Sequence, residues 1–321
     1  MNTDFRKGSH INFVDVFQQA KSFASLLTKK KKAIIQLLLC YETHEVAEDE
    51  LSRSLDLLTH LDENQEYFKT RIGHGAIFLP RNQPLYAFCC FVIVPSLMAE
   101  KIHTRLPVSM GGFMPDLLEL LEISTRFTNI EISETTRDEF IKQTAEIIYD
   151  AETKQKRPLT ELVIFTGPTY NSDKVRSLFH KNVLFIANGS GHNPIVVTPT
   201  ANINRAVESA MRVQLYNQGQ DCAAPNSILV HQKILAKFLK QLHKNLSRVK
   251  VGPYANSKNT VGPITERKDL NKLCEILSEN SGFLWDIVKL FMNIYYLIFL
   301  NEFIVEWEKE KENIKCKIRL N

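Results

Sequence analysis

Glu161-Leu162-Val163-Ile164-Phe165-Thr166-Gly167-Pro168 is the segment in which the fold of this chain is most directly visible. An uninterrupted apolar run that is closed by a Gly-Pro turn signal predicts a short strand. Residues 75–80 and 183–187 are two more short apolar runs, and the first of them also ends in a proline. We therefore expect at least three strands in this part of the chain, of which the strand at residues 75–80 is expected to be buried.

Helical patterns surround these strands. Residues 10–70 are polar with apolar positions at helical spacing, and residues 88–98 predict a packed helix that begins near Pro84. Further helices are predicted over residues 138–149 and 173–180. Alternating short strands and helices indicate an α/β domain with a mostly parallel sheet.

The alternation repeats after residue 188. Residues 195–197 and 228–230 predict strands, and residues 202–215 and 233–249 predict helices. The segment Thr200-Ala201-Asn202-Ile203-Asn204 offers side chains that could cap the first of these helices.

The composition is that of an ordinary soluble protein. The chain has 321 residues, enough for two domains, with 44% hydrophobic and 24% charged residues. Its net charge of +4 is small, and four of its lysines form one run at residues 29–32. Because no aromatic residues are interleaved there, the run indicates a solvated helix end and no nucleic-acid partner.

The cysteines and the N-terminus bear on the compartment. The six cysteines show no metal-ligand spacing, and a disulfide framework is not expected in a chain of this length without a signal peptide. Residues 1–5 lack the basic and apolar regions of a secretory signal. A cytoplasmic, reducing location is therefore expected.

Residues 281–321 differ in character from the rest of the chain. Their apolar run, residues 290–300, is about half as long as a membrane span requires, and polar or charged residues bracket it. This disfavours a membrane anchor. Two interpretations stay open, a helix that packs on the body of the protein and a sequence unrelated to the preceding domain.

The run Tyr216-Asn217-Gln218-Gly219-Gln220-Asp221-Cys222-Ala223 carries the candidate nucleophile. A cysteine that follows a Gly-Gln turn and precedes small residues is typical of an exposed, reactive thiol, whereas a structural cysteine is buried and inert. To attack a carbonyl the thiol must ionise, so we expect its pKa to be lowered by nearby donors or helix ends.

This run resembles the catalytic segment of the aldehyde dehydrogenase superfamily, in which an Asn, a Gly-Gln pair and any residue precede the reactive Cys. Other segments resemble that family in the same order along the chain, between about residues 70 and 275. These are Pro80-Arg81-Asn82-Gln83-Pro84, Phe165-Thr166-Gly167-Pro168-Thr169, Asn188-Gly189-Ser190-Gly191-His192-Asn193-Pro194-Ile195-Val196, Lys250-Val251-Gly252-Pro253 and Gly262-Pro263.

The resemblance implies a domain organisation. Residues 1–189 would hold N-terminal helices and a Rossmann-like dinucleotide-binding domain. Residues 190–280 would form an incomplete α/β catalytic domain with the nucleophilic cysteine, and residues 281–321 a divergent tail. The family's final oligomerising strand has no counterpart, so the chain looks truncated and a homo-oligomer is left open.

The resemblance also implies a reaction. Cys222 would attack an aldehyde, and the resulting thiohemiacetal would pass a hydride to NAD or NADP. The side-chain amide of Asn82 and the backbone N–H of Cys222 would stabilise the oxyanion. Arg105 stands where the family carries a Lys that reaches the adenosine ribose. The residues expected to line the cofactor are Pro80, Arg81, Arg105, Thr166, Gly167, Pro168 and Gly189.

The chain departs from the family pattern at the general base. Ala187 occupies the position of the catalytic Glu, and His192 is either a substitute base or an ordinary loop histidine. Without a base, thioester hydrolysis should be slow, since general-base assistance is worth roughly 10²–10⁴-fold. The glycine-rich turn is also absent between Leu121 and Thr160, and no second Glu in the cofactor-ribose motif follows Cys222.

These departures leave three hypotheses. The first is an NAD(P)-dependent aldehyde oxidoreductase that acts through a Cys222 thioester. The second is an acylating relative that passes the acyl group to coenzyme A. The third is a catalytically impaired remnant that binds a dinucleotide or a partner chain.

Overall fold

The computed structural model describes residues 6–150, 154–189, 191–264 and 267–279, together with the strands 303–310 and 313–320. Its contacts divide the chain into two compact units. The first comprises Met1–Leu37 and Ala47–Ser190, and the second Leu38–Val46 and Gly191–Asn321.

Three helices precede the first strand, as the periodicity of residues 10–70 predicts. They are α1 (Phe13–Lys29), α2 (Lys31–Leu38) and α3 (His44–Thr59), and a short 3₁₀ helix, Leu61–Tyr67, follows them. Asn12 caps α1 by accepting a hydrogen bond from the Val14 N–H at 3.2 Å. The buried face of α1 includes Phe23, whose ring meets Phe127 edge-on at 5.2 Å.

The first unit is built on a five-stranded sheet, which confirms the predicted α/β class. The strands of this unit are β1 (Ile72–Phe78), β2 (Ala99–Arg105), β3 (Ile130–Ser133), β4 (Ile147–Asp150), β5 (Gln155–Pro158), β6 (Thr160–Thr166) and β7 (Leu184–Asn188). The sheet order is β3-β2-β1-β6-β7, and all of its pairings are parallel. The order therefore reverses between β1 and β6, which in doubly wound sheets is where ligands bind, at the carboxyl ends of the strands.

Helices connect these strands. A continuous helical segment consists of α4 (Pro84–Phe88), a π-helical turn (Cys89–Ile93) and α5 (Val94–Ser96), as predicted for residues 88–98. The other helices of the unit are α6 (Phe113–Leu120), α7 (Ile123–Arg126), α8 (Arg137–Thr144) and α9 (Thr169–Arg176). Helix α9 begins four residues before the predicted start at residue 173, directly after Pro168.

The helix predicted over residues 138–149 is wrong at its C-terminal end. Helix α8 stops at Thr144, and β4 then pairs with β5 in an antiparallel hairpin. The sequence Ile147-Ile148-Tyr149 explains the change, because β-branched and aromatic residues favour a strand over a helix.

Aromatic side chains pack one face of the sheet against α8 and α9. The Phe78 ring lies 5.0 Å from Phe140 of α8 and 5.4 Å from Phe165 of β6. Val175 of α9 and Phe179, just beyond that helix, complete this cluster. The strands whose carboxyl ends form the candidate site therefore rest on a packed core.

A histidine pair lies on the same face of the sheet. His74 Nδ1 of β1 and His103 Nε2 of β2 are 3.1 Å apart, and Glu131 and Lys101 flank His103. Burial lowers the pKa of His74, and burial lowers that of His103 to about 4. Both rings are therefore neutral near pH 7.

The second unit repeats the alternation on a smaller scale. Strands β8 (Pro194–Val197) and β9 (Ser227–Val230) pair in parallel, and the helices are α10 (Ile203–Leu215), α11 (Leu235–Leu246) and α12 (Arg267–Glu279). Within the segment 200–204, which was expected to supply the cap, the Asn202 side chain caps α10 by accepting from the Arg205 N–H at 3.1 Å. Val197, Val207 and Phe238 form the core between strands and helices, while Val196 and Leu229 are 66% and 56% exposed.

The tail is described only at its strands. Strands β10 (Phe303–Glu310) and β11 (Asn313–Leu320) form an antiparallel hairpin. The apolar run of residues 290–300 lies outside the described residues, so the interpretations of that run stay predictions. Among the described helices, none has the length and apolar character needed to cross a membrane.

Candidate functional site

The cysteine segment of the second unit forms an unusual turn. Asn217, Gln218 and Gly219 have successive positive φ values of 44°, 58° and 72°. Two non-glycine residues in the left-handed region store strain, which persists only where surrounding contacts enforce it. Here Gln218 Nε2 donates to the Tyr254 hydroxyl at 2.8 Å, and that hydroxyl donates to the Pro263 carbonyl at 2.9 Å. The Gly-Gln turn predicted from sequence is therefore present and held by the chain downstream of it.

Cys222 lies on the exposed side of this turn, as a nucleophile requires. Its carbonyl oxygen accepts a hydrogen bond from Asn193 Nδ2 at 2.7 Å. Gly191 packs against the same carbonyl so closely that a Cβ at residue 191 would lie 2.3 Å from the oxygen. Gly191 and Asn193 thus fix the backbone at Cys222.

The expected lowering of the Cys222 pKa is wrong for this structure. Burial raises the pKa of the thiol, and the Asp221 carboxylate raises it further through its charge and by accepting a hydrogen bond from the thiol. The backbone N–H groups of Cys222 and Ala223 act in the opposite direction but do not prevail. Asp221 is visible in the quoted run, but the sequence pattern gave its carboxylate no role.

The carboxyl edge of the parallel sheet gathers the residues predicted to line the cofactor. Phe78 pairs with Arg105 on one side and with Phe165 on the other, so β1, β2 and β6 end at the same level. Thr166 pairs with Asn188 on β7. The predicted residues that follow or end these strands are Pro80, Arg81, Arg105, Thr166, Gly167, Pro168 and Gly189. Their role in binding stays a prediction.

Hydrogen bonds fix this edge. The Leu79 N–H donates to the Arg105 carbonyl at 3.2 Å, and the Gly167 N–H donates to the Asn188 carbonyl at 3.0 Å. Asn188 Nδ2 also lies 3.4 Å from Thr166 Oγ1. The loop starts are therefore tied to the neighbouring strands.

Arg105 lies at the end of β2 with a partly buried guanidinium. Its Nε donates to the Thr135 carbonyl at 3.3 Å. Burial lowers the pKa of Arg105, and the positive charge of Arg137 lowers it further. The nearby Asp138 carboxylate acts in the opposite direction on this pKa. Because a guanidinium is a permanent cation at neutral pH, Arg105 offers a positive charge that could bind a phosphate or a pair of hydroxyl groups.

Asn82 is half-buried in the turn between β1 and α4 in the first unit. The next residue, Gln83, adopts a left-handed conformation with φ 51° and ψ 58°. A buried carboxylate from α3, that of Glu50, binds the N–H groups just beyond this turn. Because Glu50 is far from the turn in the sequence, no local pattern could have identified it.

The departures from the family pattern are also visible in the structure. Ala187 lies on the edge strand β7, where it pairs with Phe165, is exposed and offers no proton acceptor; His192 is also exposed. In place of a glycine-rich turn, the segment after β3 ends in Thr136, whose side chain forms a reciprocal capping box with Glu139. Within the described residues, no group of three His, Cys, Asp or Glu side chains could hold a metal ion.

Comparisons with known proteins agree with this architecture. A family model described as "Aldehyde dehydrogenase family" matches residues 151–283. The chain is 23% identical over 228 residues to benzaldehyde dehydrogenase YfmT of Bacillus subtilis, an alignment that covers 68% of this chain and 43% of YfmT. It is 26% identical over 123 residues to succinate-semialdehyde dehydrogenase [NADP(+)] GabD of Escherichia coli, over 38% of this chain and 26% of GabD.

A solved structure shares the fold. Betaine aldehyde dehydrogenase from Staphylococcus aureus, in complex with NAD+, superposes with a TM-score of 0.71 at 17% identity, over 84% of this chain and 56% of that one. At this identity the likeness concerns the fold alone. The chain thus spans less than half of the two curated relatives and little more than half of this solved relative.

Proposed function

We propose that this chain is an NAD(P)-dependent oxidoreductase of the aldehyde dehydrogenase family, whose model matches residues 151–283, and that it oxidises an aldehyde through Cys222. The observation that carries the proposal is the position of this thiol. The thiol is exposed on a strained turn whose backbone is held by Gly191 and Asn193, in a segment that resembles the family's catalytic segment.

The first unit fits a dinucleotide. Its sheet is parallel and reverses order between β1 and β6, and the edge at this point offers the Arg105 guanidinium and the Thr166 hydroxyl. We propose that the edge residues predicted from sequence hold NAD or NADP, with Arg105 toward the ribose. When bound, the nicotinamide supplies the hydride acceptor for the oxidation.

The protein's own steps concern sulfur, oxygen and a proton. The Cys222 thiol first releases its proton to solvent. The thiolate sulfur then forms a bond to the carbonyl carbon of the aldehyde, and the carbonyl π electrons move to the oxygen. We propose that the Asn82 amide and the Cys222 N–H donate to this oxyanion, a role that rests on the resemblance. Because the Cys222 pKa is raised, attack should speed up as the pH rises above neutrality.

Release of the acyl group is where this chain should differ from a hydrolytic enzyme. Ala187 cannot accept a proton from water, so hydrolysis of the Cys222 thioester lacks its usual base. This favours a second candidate function, transfer of the acyl group to the thiol of coenzyme A. The substitution Ala187→Glu should accelerate release into water, and an unchanged deacylation rate would contradict the assigned position of the base.

An aldehyde panel tests the proposal. Benzaldehyde, succinate semialdehyde and betaine aldehyde, which resemble the substrates named for the relatives, would be incubated with NAD+ or NADP+, with and without coenzyme A. We expect formation of reduced cofactor, with turnover stimulated by coenzyme A, and its loss in Cys222→Ser. Three negative results together would contradict the proposal: no turnover, no burst of reduced cofactor, and alkylation of Cys222 by iodoacetamide at the same rate with and without aldehyde. They would leave the third hypothesis, a catalytically impaired remnant.

A further inference from the structure

The helical segment that begins at Pro84 is capped from a distance. The first N–H groups of a helix have no partner within it, and the side chain of Gln83, the residue at the cap position, forms no capping bond. Glu50 of α3 supplies the acceptor instead. Its Oε2 atom accepts from the Leu85 N–H at 2.9 Å and from the Tyr86 N–H at 3.1 Å. Pro84 has no N–H group, so this one carboxylate provides an acceptor for both N–H donors of the first turn, those of Leu85 and Tyr86.

This cap is fully buried, and further contacts of α3 lie beside it. Glu50 is 0% exposed, so its carboxylate has no water to take over these bonds. One turn further along α3, the Arg53 guanidinium lies 4.3 Å from the centre of the Tyr86 ring. Ser54, also buried, forms a hydrogen bond with the Cys89 thiol. Helix α3 therefore contacts this helical segment through three side chains, those of Glu50, Arg53 and Ser54.

The hydrogen bonds that Glu50 accepts also constrain the backbone conformation of the residues just before the helix. A cap residue ordinarily has an extended conformation, but Gln83 is left-handed, with φ 51° and ψ 58°. Such a conformation persists only where its surroundings enforce it. Because Glu50 fixes the N–H groups of Leu85 and Tyr86, it fixes the first turn to which Gln83 must connect, and Asn82 directly precedes Gln83.

We propose that Glu50 is a positioning residue for Asn82, holding the turn at residues 81–83 so that the Asn82 amide is presented in one direction. The inference rests on the proposed function, in which that amide donates to the oxyanion. Oxyanion stabilisation depends on donor placement within about 1 Å, and a misplacement of that size can cost about 10²-fold in rate. Loss of Glu50 should therefore lower kcat while leaving KM for the aldehyde nearly unchanged.

A double-mutant cycle on the full chain tests this. Asn82→Ala should lower kcat by about 10²-fold, and Glu50→Ala by about 10- to 100-fold. If Glu50 acts through Asn82, the double variant should be no slower than Asn82→Ala alone. Glu50→Gln keeps an acceptor oxygen and should recover most of the activity. If Glu50→Ala does not fold, the cycle is run with Glu50→Gln instead. The smaller decrease in kcat that this variant causes should likewise disappear in the Asn82→Ala background.

Ser54→Ala is the matched control. It removes another buried contact between α3 and the same helical segment, so its effect on kcat should be small and additive with that of Asn82→Ala. Additive effects of Glu50 and Asn82 would overturn the proposal, because they would make the role of Glu50 merely structural.

A second readout does not depend on turnover. Amide hydrogen exchange of the peptide spanning residues 82–86 should accelerate in the Glu50 variant and not in Ser54→Ala. Unchanged exchange overturns the proposal whatever the activity. If the wild-type chain shows no turnover, the proposed function fails, and exchange together with the side-chain amide resonances of Asn82 decides whether Glu50 sets that side chain.

Discussion

At the scale of single residues, the surroundings of Cys222 set its reactivity. Cys222 is an exposed residue, yet partial burial of its thiol and the charge of the Asp221 carboxylate raise the pKa of the thiol above its ordinary value. The sequence singled out Cys222 as the candidate nucleophile because its motif is local, and that role stays a prediction. It could not give the direction of the pKa shift, because that depends on where the neighbouring carboxylate points.

Removing the charge of Asp221 should make this thiol more reactive. Asp221→Asn keeps an oxygen that can accept from the Ala223 N–H, a bond of 3.1 Å, but removes the negative charge that disfavours the thiolate. The pKa of the Cys222 thiol should fall, and its alkylation by iodoacetamide at pH 7.5 should become several-fold faster. Mass spectrometry of the alkylated peptide measures this rate.

A control variant and an internal reference cysteine accompany this alkylation experiment. Asp173→Asn, on α9, should leave the rate unchanged. Cys89 serves as an internal reference, because burial raises its pKa to about 12 and it should resist the reagent in every variant. A slower or unaltered rate in Asp221→Asn would mean that the carboxylate does not control the thiol.

Gly191 should tolerate no side chain. Its φ is 70°, and a Cβ there would lie 2.3 Å from the Cys222 carbonyl oxygen, which the backbone cannot accept. Gly191→Ala should destabilise the protein by about 1–3 kcal/mol and change the alkylation rate of Cys222. Gly112→Ala is the control, since no atom lies within 4 Å of a Cβ at that position. Equal melting temperatures for the two variants would contradict the close approach.

At the scale of elements, the sequence predicted the type of most strands and helices correctly where the pattern was strong. The strand over residues 160–166 and the helix capped by Asn202 are examples. The prediction failed at residues 147–150, because helical periodicity continued past Thr144 while the β4–β5 pairing became available only through the tertiary fold. Strand order was beyond the sequence, since it depends on which parallel edges meet.

The pairing of β1 with β2 should make stability depend on pH. His74 and His103 have lowered pKa values in the folded state, so unfolding takes up protons below the ordinary histidine pKa of 6.5. Stability from the neutral pair is present above pH 6.5 and is lost as the pH falls toward about 4, the folded pKa of His103.

Urea unfolding between pH 7 and pH 4 measures this. The groups that face His103 include Glu131, which raises its pKa, and Lys101, which lowers it, so the variant must leave both in place. In His103→Gln the fall in unfolding free energy across this range should be shallower than in the wild type. His10→Gln, outside the pair, should follow the wild-type curve. A steeper fall in His103→Gln would contradict the neutral pair.

At the scale of the whole molecule, the second unit keeps an apolar face open. Parallel sheets are normally covered on both faces, yet β8 and β9 leave Val196 and Leu229 exposed, while Val197 is 2% exposed on the other face. Such a surface favours self-association.

Substituting the open face should improve solution behaviour at little cost. Val196→Thr with Leu229→Thr should reduce light scattering at high protein concentration and change the unfolding free energy by less than about 1 kcal/mol. Val197→Thr, one residue along β8, should instead cost about 1–3 kcal/mol, because it buries a hydroxyl in the core. Similar losses in both variants would show that the two faces are equally buried.

The strand order of the first unit has a consequence for how the chain assembles as it is made. Ile77 of β1 pairs with Thr104 of β2 on one side and with Ile164 of β6 on the other, and β6 is synthesised much later. A nascent chain that has emerged only through β3 can join three strands but leaves one side of the central strand bare. Such a bare strand edge recruits foreign strands, so a ribosome pause before β6 is where this protein would be most exposed to misassembly.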